Sequence, residues 1–254
     1  MNAVVSTSKS DGILHIELNR PDKKNAITQE MYGLAADAFE QANDDSQVRV
    51  IIISGRGDSF TSGNDLVDFL SKTGESTEDG ITRFLRAVPN CNKPIIAAVH
   101  GHAVGIGTTL LLHCDLAYAD NSAKLQLPFV NLGLCPEFGS SFLLPQLIGH
   151  RRAADMLYTG KTINAETAYE YGLINELVDD ALATAKQQAQ RIVSQPAAAI
   201  RLTKKLLRNT DKAQLLEIID AELIEFSRCI QSPEAKEAMT AFMEKRQPDF
   251  SQFD

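Results

Sequence analysis

Residues 94–107 read PIIAAVHGHAVGIG, and this stretch decides the fold class. Its first part, residues 94–99, is a short apolar run that is typical of a strand buried on both faces. Its second part, residues 101–107, is rich in glycine and predicts a tight turn. The next residues, 108–118, are almost entirely apolar and predict a buried helix. A strand, a glycine turn and a helix in succession indicate an α/β architecture.

The same alternation of strands and helices is present on the N-terminal side of this stretch. Residues 13–18 alternate between two sets of side chains, which predicts a half-buried strand. Thr28 is a suitable N-cap for a helix that runs to about residue 43 and carries an apolar stripe. Residues 48–54 are apolar and β-branched, and they predict a second buried strand.

The C-terminal side differs, because the pattern after about residue 180 is almost entirely helical. Residues 197–208, 212–230 and 233–245 each have helical periodicity, and no strand pattern follows Val178. Ser232 and Pro233 suit the N-cap and the first position of the last helix. We therefore predict an α/β core over residues 1–195 and a helical region over residues 196–254. Helices with apolar faces in such a region often pack on another subunit.

Composition sets the broad class of the protein. The chain has 254 residues, 44% of them hydrophobic and 23% charged, which is enough to build a core without disulfides or metals. Its net charge of -8 gives no support to nucleic-acid binding. The four cysteines form no C-x-x-C pair and match no zinc framework, so we expect reduced thiols and no metal site. The N-terminus lacks the apolar stretch of a signal peptide and no run is long enough to span a bilayer, so we expect a cytoplasmic protein with no membrane partner.

Two further segments carry residues that could take part in a reaction. Residues 60–66 read FTSGNDL and residues 132–141 read LGLCPEFGSS. A glycine turn that opens a helix, such as residues 101–107, leaves backbone N–H groups free, and two such groups, one from each of two loops, can together stabilise a developing oxyanion. Glu137 stands among apolar neighbours, which would raise its pKa and suit it to move a proton near neutral pH. The alternative is that Gly105 and Gly107 serve only packing and that Glu137 is an exposed acid at a helix start.

Taken in order, these segments resemble the crotonase, or enoyl-CoA hydratase/isomerase, superfamily. The resemblance covers nearly the whole chain and includes further short motifs at residues 20–26 (RPDKKNA), 114–117 (CDLA), 172–175 (GLIN) and 245–250 (KRQPDF). It implies a spiral of ββα units, a C-terminal helical region that forms a homotrimer or a dimer of trimers, and an acyl-CoA thioester as substrate. No separate cofactor is implied, since coenzyme A is part of the substrate.

The resemblance also assigns roles to residues. The backbone N–H groups of Asn64 and Ile106 would form the oxyanion hole, and Glu137 would be the catalytic base. Hydratases of the superfamily use two glutamates, and those places hold Thr109 and Phe129 here. One of the lysines at positions 23 and 24 would meet the coenzyme A nucleotide, and we select Lys24. The expected substrate-binding set is Ser62, Gly63, Asp65, Leu66, Gly105, Thr109, Phe129 and Lys24.

A single glutamate at this place is similar to the peroxisomal-type 3,2-enoyl-CoA isomerases, which implies an isomerase, with fatty-acid β-oxidation as the expected pathway. Hydration, or another thioester reaction of the superfamily, is the first alternative, and a non-catalytic acyl-CoA-binding protein is the second. We expect Asp65 to stabilise its loop rather than act in catalysis. We also expect Ser140 and Ser141 to cap the next helix rather than act as nucleophiles.

Overall fold

The computed structural model describes residues 3–71, 80–208 and 212–253. The strands are β1 Val5–Ser10, β2 Ile13–Leu18, β3 Val50–Gly55, β4 Ile95–Val99, β5 His102–Val104, β6 Leu116–Ala119, β7 Lys124–Gln126, β8 Thr162–Asn164 and β9 Glu176–Leu177. The helices are α1 Gln29–Asp44, α2 Leu66–Ser71, α3 Gly80–Asn90, α4 Ile106–Thr109, α5 Ser140–Ile148, α6 His150–Thr159, α7 Ala165–Tyr171, α8 Ala181–Val193, α9 Ala197–Arg208, α10 Lys212–Ile230 and α11 Pro233–Glu244.

Two sheets organise the N-terminal part of the chain. The larger has the order β1-β2-β3-β4-β6-β9, and all its pairs are parallel except β1 with β2. The smaller has the order β5-β7-β8. The strands β4 and β5 lie in different sheets and are followed by α4, and β6 and β7 are followed in the same way by α5. The chain therefore repeats a ββα unit, and the predicted α/β fold is confirmed.

The large sheet is buried on both faces, as the apolar sequences of β3 and β4 predict. Ile51 and Ile53 face one hydrophobic cluster, and Val50 and Ile52 face a second cluster that α8 completes. Thr28 caps α1 as predicted, since its hydroxyl accepts the Met31 N–H at 3.3 Å. Ser232 caps α11 in the same way, with Pro233 at the first helical position.

The prediction of one helix over residues 108–118 is wrong. The helix α4 ends at Thr109, a 3₁₀ turn covers Leu110–His113, and β6 begins at Leu116. Asp115 explains the change, because its N–H donates to the Ile95 carbonyl and its carboxylate accepts the Ile95 N–H at 2.8 Å. Pairing with β4 therefore overrides the helical preference of the apolar run. The glycine-rich turn also contains a short strand, β5, which periodicity did not indicate.

The C-terminal helices share the core of the α/β part. Leu215, Ile219, Phe226 and Ile230 of α10 belong to the same hydrophobic cluster as Phe138 and Leu144. The proposed boundary at residue 195 stays a prediction, and so does the expected role of the C-terminal region in oligomerisation. Within the described residues, no helix is both long and apolar enough to cross a membrane. All four cysteines are free thiols.

Candidate active site

The loop at residues 60–66 lies against β5 and the start of α4. The Thr61 N–H donates to the His102 carbonyl, and the Val104 N–H donates to the Thr61 carbonyl, so the loop continues the small sheet. The two segments approach so closely that a Cβ on Gly107 would lie 2.5 Å from Thr61 Cγ2. Glycine at position 107 is therefore required by the close approach of the two loops.

Each of these loops presents a backbone N–H without a protein acceptor. The residues beside Asn64 are paired with Ile27, through the Gly63 carbonyl at 2.8 Å and the Asp65 N–H at 2.9 Å. Ile106 is the first residue of α4, where backbone N–H groups have no intrahelical partner. Neither the Asn64 N–H nor the Ile106 N–H donates to another described residue. Both groups therefore have no acceptor among the described residues, and their role as an oxyanion hole stays a prediction.

Tyr32 supports the first of these donors, and sequence analysis did not single it out. Its hydroxyl donates to Asn64 Oδ1 at 2.5 Å, and only 2% of the residue is exposed. Burial, followed by the negative charge of Glu137, raises the pKa of Tyr32 well above its usual range, so the hydroxyl keeps its proton. In the sequence Tyr32 is one member of the buried stripe of α1, and that pattern alone gives no sign of a polar role.

Glu137 is buried, with 6% of the residue exposed, so the alternative of an exposed acid at a helix start is wrong. Its Oε1 accepts a hydrogen bond of 2.7 Å from the Thr109 hydroxyl. Burial raises the pKa of Glu137 to about 8, the Thr109 hydrogen bond lowers it, and the charge of Glu222 raises it. A carboxyl group with a pKa in this range can both remove and return a proton near neutral pH.

The turn that carries Glu137 has an unusual backbone. Phe138 has a φ of +59° and Gly139 has a φ of +70°, so two consecutive residues are left-handed. Such a conformation costs energy for phenylalanine and persists only when its surroundings hold it. Phe138 is completely buried and stacks on the His113 ring at 3.8 Å between centroids. His113 Nε2 also donates to the Phe138 carbonyl at 2.7 Å.

His113 is neutral in this position. Since a carbonyl can only accept, Nε2 carries the hydrogen and Nδ1 is unprotonated. Burial lowers the pKa of His113 to about 3, and the hydrogen bond to Phe138 only partly offsets that effect. Among the described residues, Nδ1 has no hydrogen-bond partner. His113 therefore holds the turn by stacking and one hydrogen bond, without adding charge beside Glu137.

A second buried carboxylate, Glu222 of α10, caps the helix that follows the turn. Glu222 Oε2 accepts the Gly139 N–H at 2.5 Å, and Oε1 accepts the Ser141 N–H at 2.9 Å. The prediction that Ser140 and Ser141 cap this helix is wrong. The N-cap residue is Gly139, which has no side chain that could accept a backbone N–H. The cap comes instead from a residue far along the chain, which local sequence patterns do not reveal.

Asp65 stabilises its loop, as expected. One carboxylate oxygen lies 3.1 Å from two nitrogens of the Arg20 guanidinium, and the other accepts the N–H groups of Val67 and Asp68. The capping bonds and the Arg20 guanidinium outweigh partial burial and lower the pKa of the Asp65 carboxyl. Asp65 is therefore a charged structural residue that ties the loop to the N-terminal part of the chain.

The remaining predicted residues make contacts of their own, and their roles in substrate binding stay predictions. Lys24 Nζ lies 3.3 Å from His102 Nε2, and the Ser62 hydroxyl donates to the Lys23 carbonyl at 3.4 Å. Phe129 is buried and meets Phe226 of α10 edge to face at 6.4 Å between centroids. Leu66 is the first residue of α2, and Gly105 precedes α4 with a φ of +55°. We expect the residues between positions 66 and 85 to determine the depth of the acyl pocket. Residues 72–79 of that segment lie outside the described part.

A sequence profile of the enoyl-CoA hydratase/isomerase family matches residues 8–253. The chain belongs to this family. It is 35% identical over 255 residues to a crotonyl-CoA hydratase from Syntrophomonas wolfei, with 98% of this chain and 97% of the relative covered. It is 34% identical over 249 residues to a 1,2-epoxyphenylacetyl-CoA isomerase from Escherichia coli K12, with 94% of this chain and 95% of the relative covered.

Solved structures of the family agree with the fold. An enoyl-CoA hydratase/isomerase from Pseudoalteromonas atlantica T6c superposes with a TM-score of 0.95 at 37% identity, covering 98% of this chain and all of the other. The resemblance to the crotonase superfamily is thereby confirmed. The protein is an enzyme of the enoyl-CoA hydratase/isomerase family, which acts on acyl-CoA thioesters.

Proposed function

We propose that this protein is a 3,2-enoyl-CoA isomerase that uses Glu137 as its single acid/base group. The proposal is carried by the two positions at which hydratases of the superfamily have glutamates. Thr109 and Phe129 stand there, and neither side chain can transfer a proton near neutral pH. Glu222 is the other buried carboxylate among the described residues, and backbone N–H groups engage both of its oxygens. Among the described residues, one buried carboxylate, that of Glu137, is therefore available for the proposed reaction.

One base is sufficient for a double-bond shift. The Glu137 carboxylate takes a proton from C2 of a 3-enoyl thioester, and the C2–H electron pair delocalises into the carbonyl and the C3–C4 double bond. The resulting dienolate carries its negative charge on the thioester oxygen. Protonated Glu137 then returns the same proton to C4, which leaves the double bond between C2 and C3. No water is consumed, and Glu137 ends as the carboxylate with which it began.

The oxyanion hole makes this proton removal possible. The N–H groups of Asn64 and Ile106 would bind the thioester oxygen, with Ser62, Gly63, Leu66 and Gly105 forming the surrounding wall. Each donor of this kind lowers a barrier by about 3 kcal/mol. The apolar side chain of Phe129 would exclude the water molecule that a glutamate at that position holds in a hydratase. The Thr109 hydroxyl would stabilise the ionised form of the base between proton transfers.

Coenzyme A binding and assembly complete the proposal. The Lys24 ammonium, which lies 3.3 Å from His102 Nε2, would contact a phosphate of the coenzyme A nucleotide. We propose that the C-terminal helices join three chains, or two sets of three. The exposed leucines Leu202, Leu206 and Leu207 of α9 suit such a contact, because large apolar side chains clustered on a surface favour association.

Hydration is the second candidate function, and the similarity to a crotonyl-CoA hydratase favours it. It would require Glu137 alone to orient water and to transfer the proton. A non-catalytic acyl-CoA-binding protein is the third reading, and the perturbed pKa of Glu137 argues against it.

The test is to follow purified protein with 3-hexenoyl-CoA by ultraviolet absorbance, and separately with crotonyl-CoA. We expect absorbance to rise in the first assay, as the conjugated 2-enoyl thioester forms, and crotonyl-CoA to remain. Glu137→Gln should abolish the rise while acyl-CoA binding persists, and Glu217→Gln on the exposed face of α10 is the control. Consumption of crotonyl-CoA alone would establish hydration instead. Binding without either reaction would establish the binding role, and turnover by Glu137→Gln would eliminate Glu137 as the base.

A further inference from the structure

The turn that carries the proposed base is fastened to the C-terminal helices by one side chain. We propose that Glu222 is a positioning residue for Glu137, and that α10 thereby forms part of the catalytic apparatus. This inference rests on the proposed function of Glu137 as a base. It extends that function by assigning a role in the reaction to a helix whose sequence predicts only oligomerisation.

Glu222 satisfies two backbone donors of the turn. The Gly139 and Ser141 N–H groups lie at the start of α5, where no intrahelical acceptor is available. Glu222 accepts both, at 2.5 and 2.9 Å, and is itself 8% exposed. Loss of this carboxylate would leave two backbone donors unpaired within two to four residues of Glu137. The left-handed conformation of Phe138 would then be held mainly by His113.

The helix α10 also packs closely against the turn that carries Glu137. A Cβ on Gly139 would lie 2.5 Å from Leu215 Cδ1 and 3.4 Å from Ile219 Cγ1, so only glycine fits between them. Leu215, Ile219, Glu222 and Phe226 follow one another at spacings of four, three and four residues, which places them on one face of the helix. Phe226 on this face contacts Phe129. The same face therefore contacts both the turn of Glu137 and the residue proposed to exclude water.

Glu222 also acts on Glu137 through its charge. Among the described titratable side chains of the packed elements, Glu222 of α10 is the one that shifts the pKa of Glu137. Tyr32 of α1, whose own pKa responds to the charge of Glu137, and His113 of the 3₁₀ turn, which stacks on Phe138, lie nearby. Tyr32 and His113 are both neutral near pH 7, because burial raises the pKa of the first and lowers that of the second. The charge of Glu222 disfavours ionisation of Glu137 and raises the pKa of that base. Burial also raises the pKa of Glu222 itself, and its hydrogen bonds to Ser141 and Gly139 oppose that effect.

The experiment compares Glu222→Gln, Glu222→Asp and the control Glu217→Gln, which lies on the exposed side of the same helix. The amide of Gln keeps one acceptor, loses the charge and places an NH₂ group against a backbone donor. The kcat of Glu222→Gln with 3-hexenoyl-CoA should fall about tenfold, as expected for a buried hydrogen bond lost in the transition state. The acidic limb of its kcat/KM profile should move to lower pH. Glu222→Asp keeps the charge but shortens the side chain, so kcat should fall while the limb stays near its wild-type position.

A readout without turnover separates this inference from the proposed function. The pKa of Glu137 is measured by carbon-13 NMR titration of labelled glutamate carboxyls, with the signal assigned by its loss in Glu137→Gln. We expect Glu222→Gln to lower that pKa and Glu217→Gln to leave it unchanged. If the wild-type enzyme lacks isomerase activity but this shift occurs, the proposed reaction is wrong and the coupling stands. If both Glu222 variants keep wild-type kcat, pH profile and Glu137 titration, with only a lower melting temperature, Glu222 is merely structural and the inference is overturned.

Discussion

At the scale of single residues, the chemistry depends on the burial of one carboxyl group. Glu137 is buried, and burial is the main cause of its pKa of about 8. The sequence predicts a raised pKa from Cys135, Pro136 and Phe138, but it leaves open whether the side chain points inward. The side chains that act on Glu137, Thr109 and Glu222, come from distant parts of the chain. Neighbouring sequence therefore indicates the proposed base but not the groups that act on it.

Replacing Thr109 by valine should change the pH dependence of catalysis. The Thr109 hydroxyl hydrogen-bonds Glu137 and favours its ionised form, so its loss should raise the pKa of Glu137 further. Activity requires the carboxylate and increases as pH rises through that pKa. The acidic limb of kcat/KM should therefore move to higher pH by about one unit, a shift worth about 1.4 kcal/mol. Thr203→Val on the exposed surface of α9 is the control, and an unchanged limb in Thr109→Val would contradict the assignment.

Glu137→Gln should be more stable than the wild type at alkaline pH. The folded pKa of Glu137, about 8, lies above its ordinary value of 4.5, so folding favours the protonated form. The contribution of Glu137 to stability is complete below pH 4.5 and decreases as pH rises to about 8. Gln cannot ionise, so its advantage should grow over the same range and reach the order of a few kcal/mol. Thermal melts at pH 5 and pH 8.5 measure it, and an equal difference at both pH values would disprove the linkage.

At the scale of elements, most strands and helices follow from apolar patterns and end signals, and the exceptions have identifiable causes. The strand β6 was predicted as helix, because Leu116 and Ala117 are equally compatible with both and only pairing with β4 decides between them. The cap on α5 comes from Glu222, more than 80 residues away. Non-local hydrogen bonds thus account for what the sequence does not reveal, whereas the predictions of the locally capped helices α1 and α11 are confirmed.

Gly107→Ala should damage the site, and Gly33→Ala should not. The added Cβ at position 107 would meet Thr61 Cγ2 at 2.5 Å and push α4 away from the loop that carries Asn64. Overpacking of this kind costs about 1–3 kcal/mol, and misalignment of the two N–H donors should lower kcat more than it raises KM. Among the described residues, no atom lies within 4 Å of a Cβ at Gly33 in α1, where alanine should stabilise the helix by about 0.5–1 kcal/mol. Chemical denaturation and steady-state kinetics on both variants test this contrast, which equal effects would refute.

At the scale of the whole molecule, the α/β part and the C-terminal helices act as one unit around the site. The helix α10 shares the main hydrophobic cluster, caps the Glu137 turn and contacts Phe129. A boundary at residue 195 separates two patterns of sequence, but the packing across it is continuous. The family, and with it the α/β fold, could be predicted from short motifs, since those motifs mark the loops that the site requires.

The proposed assembly predicts a molar mass in solution of three or six times 27.8 kDa. Light scattering after size exclusion measures it directly. Replacing both Leu206 and Leu207 by aspartate should lower the mass, because two charges would have to be buried in the proposed contact. The matched control replaces Tyr158 by aspartate, since its side chain is also highly exposed but lies on α6. A single-chain mass for the unaltered protein would contradict the assembly.

The central claim is that Glu137 alone carries a proton from C2 to C4 in a site without water. The most direct test supplies 3-hexenoyl-CoA deuterated at C2 and locates the deuterium in the 2-enoyl product by mass spectrometry and NMR. A single shielded carboxyl group takes the deuterium from C2 and should deliver most of it to C4 of the same molecule. A product whose C4 position carries only solvent hydrogen from the first turnovers onward would show that water or a second base completes the reaction, and would contradict the claim.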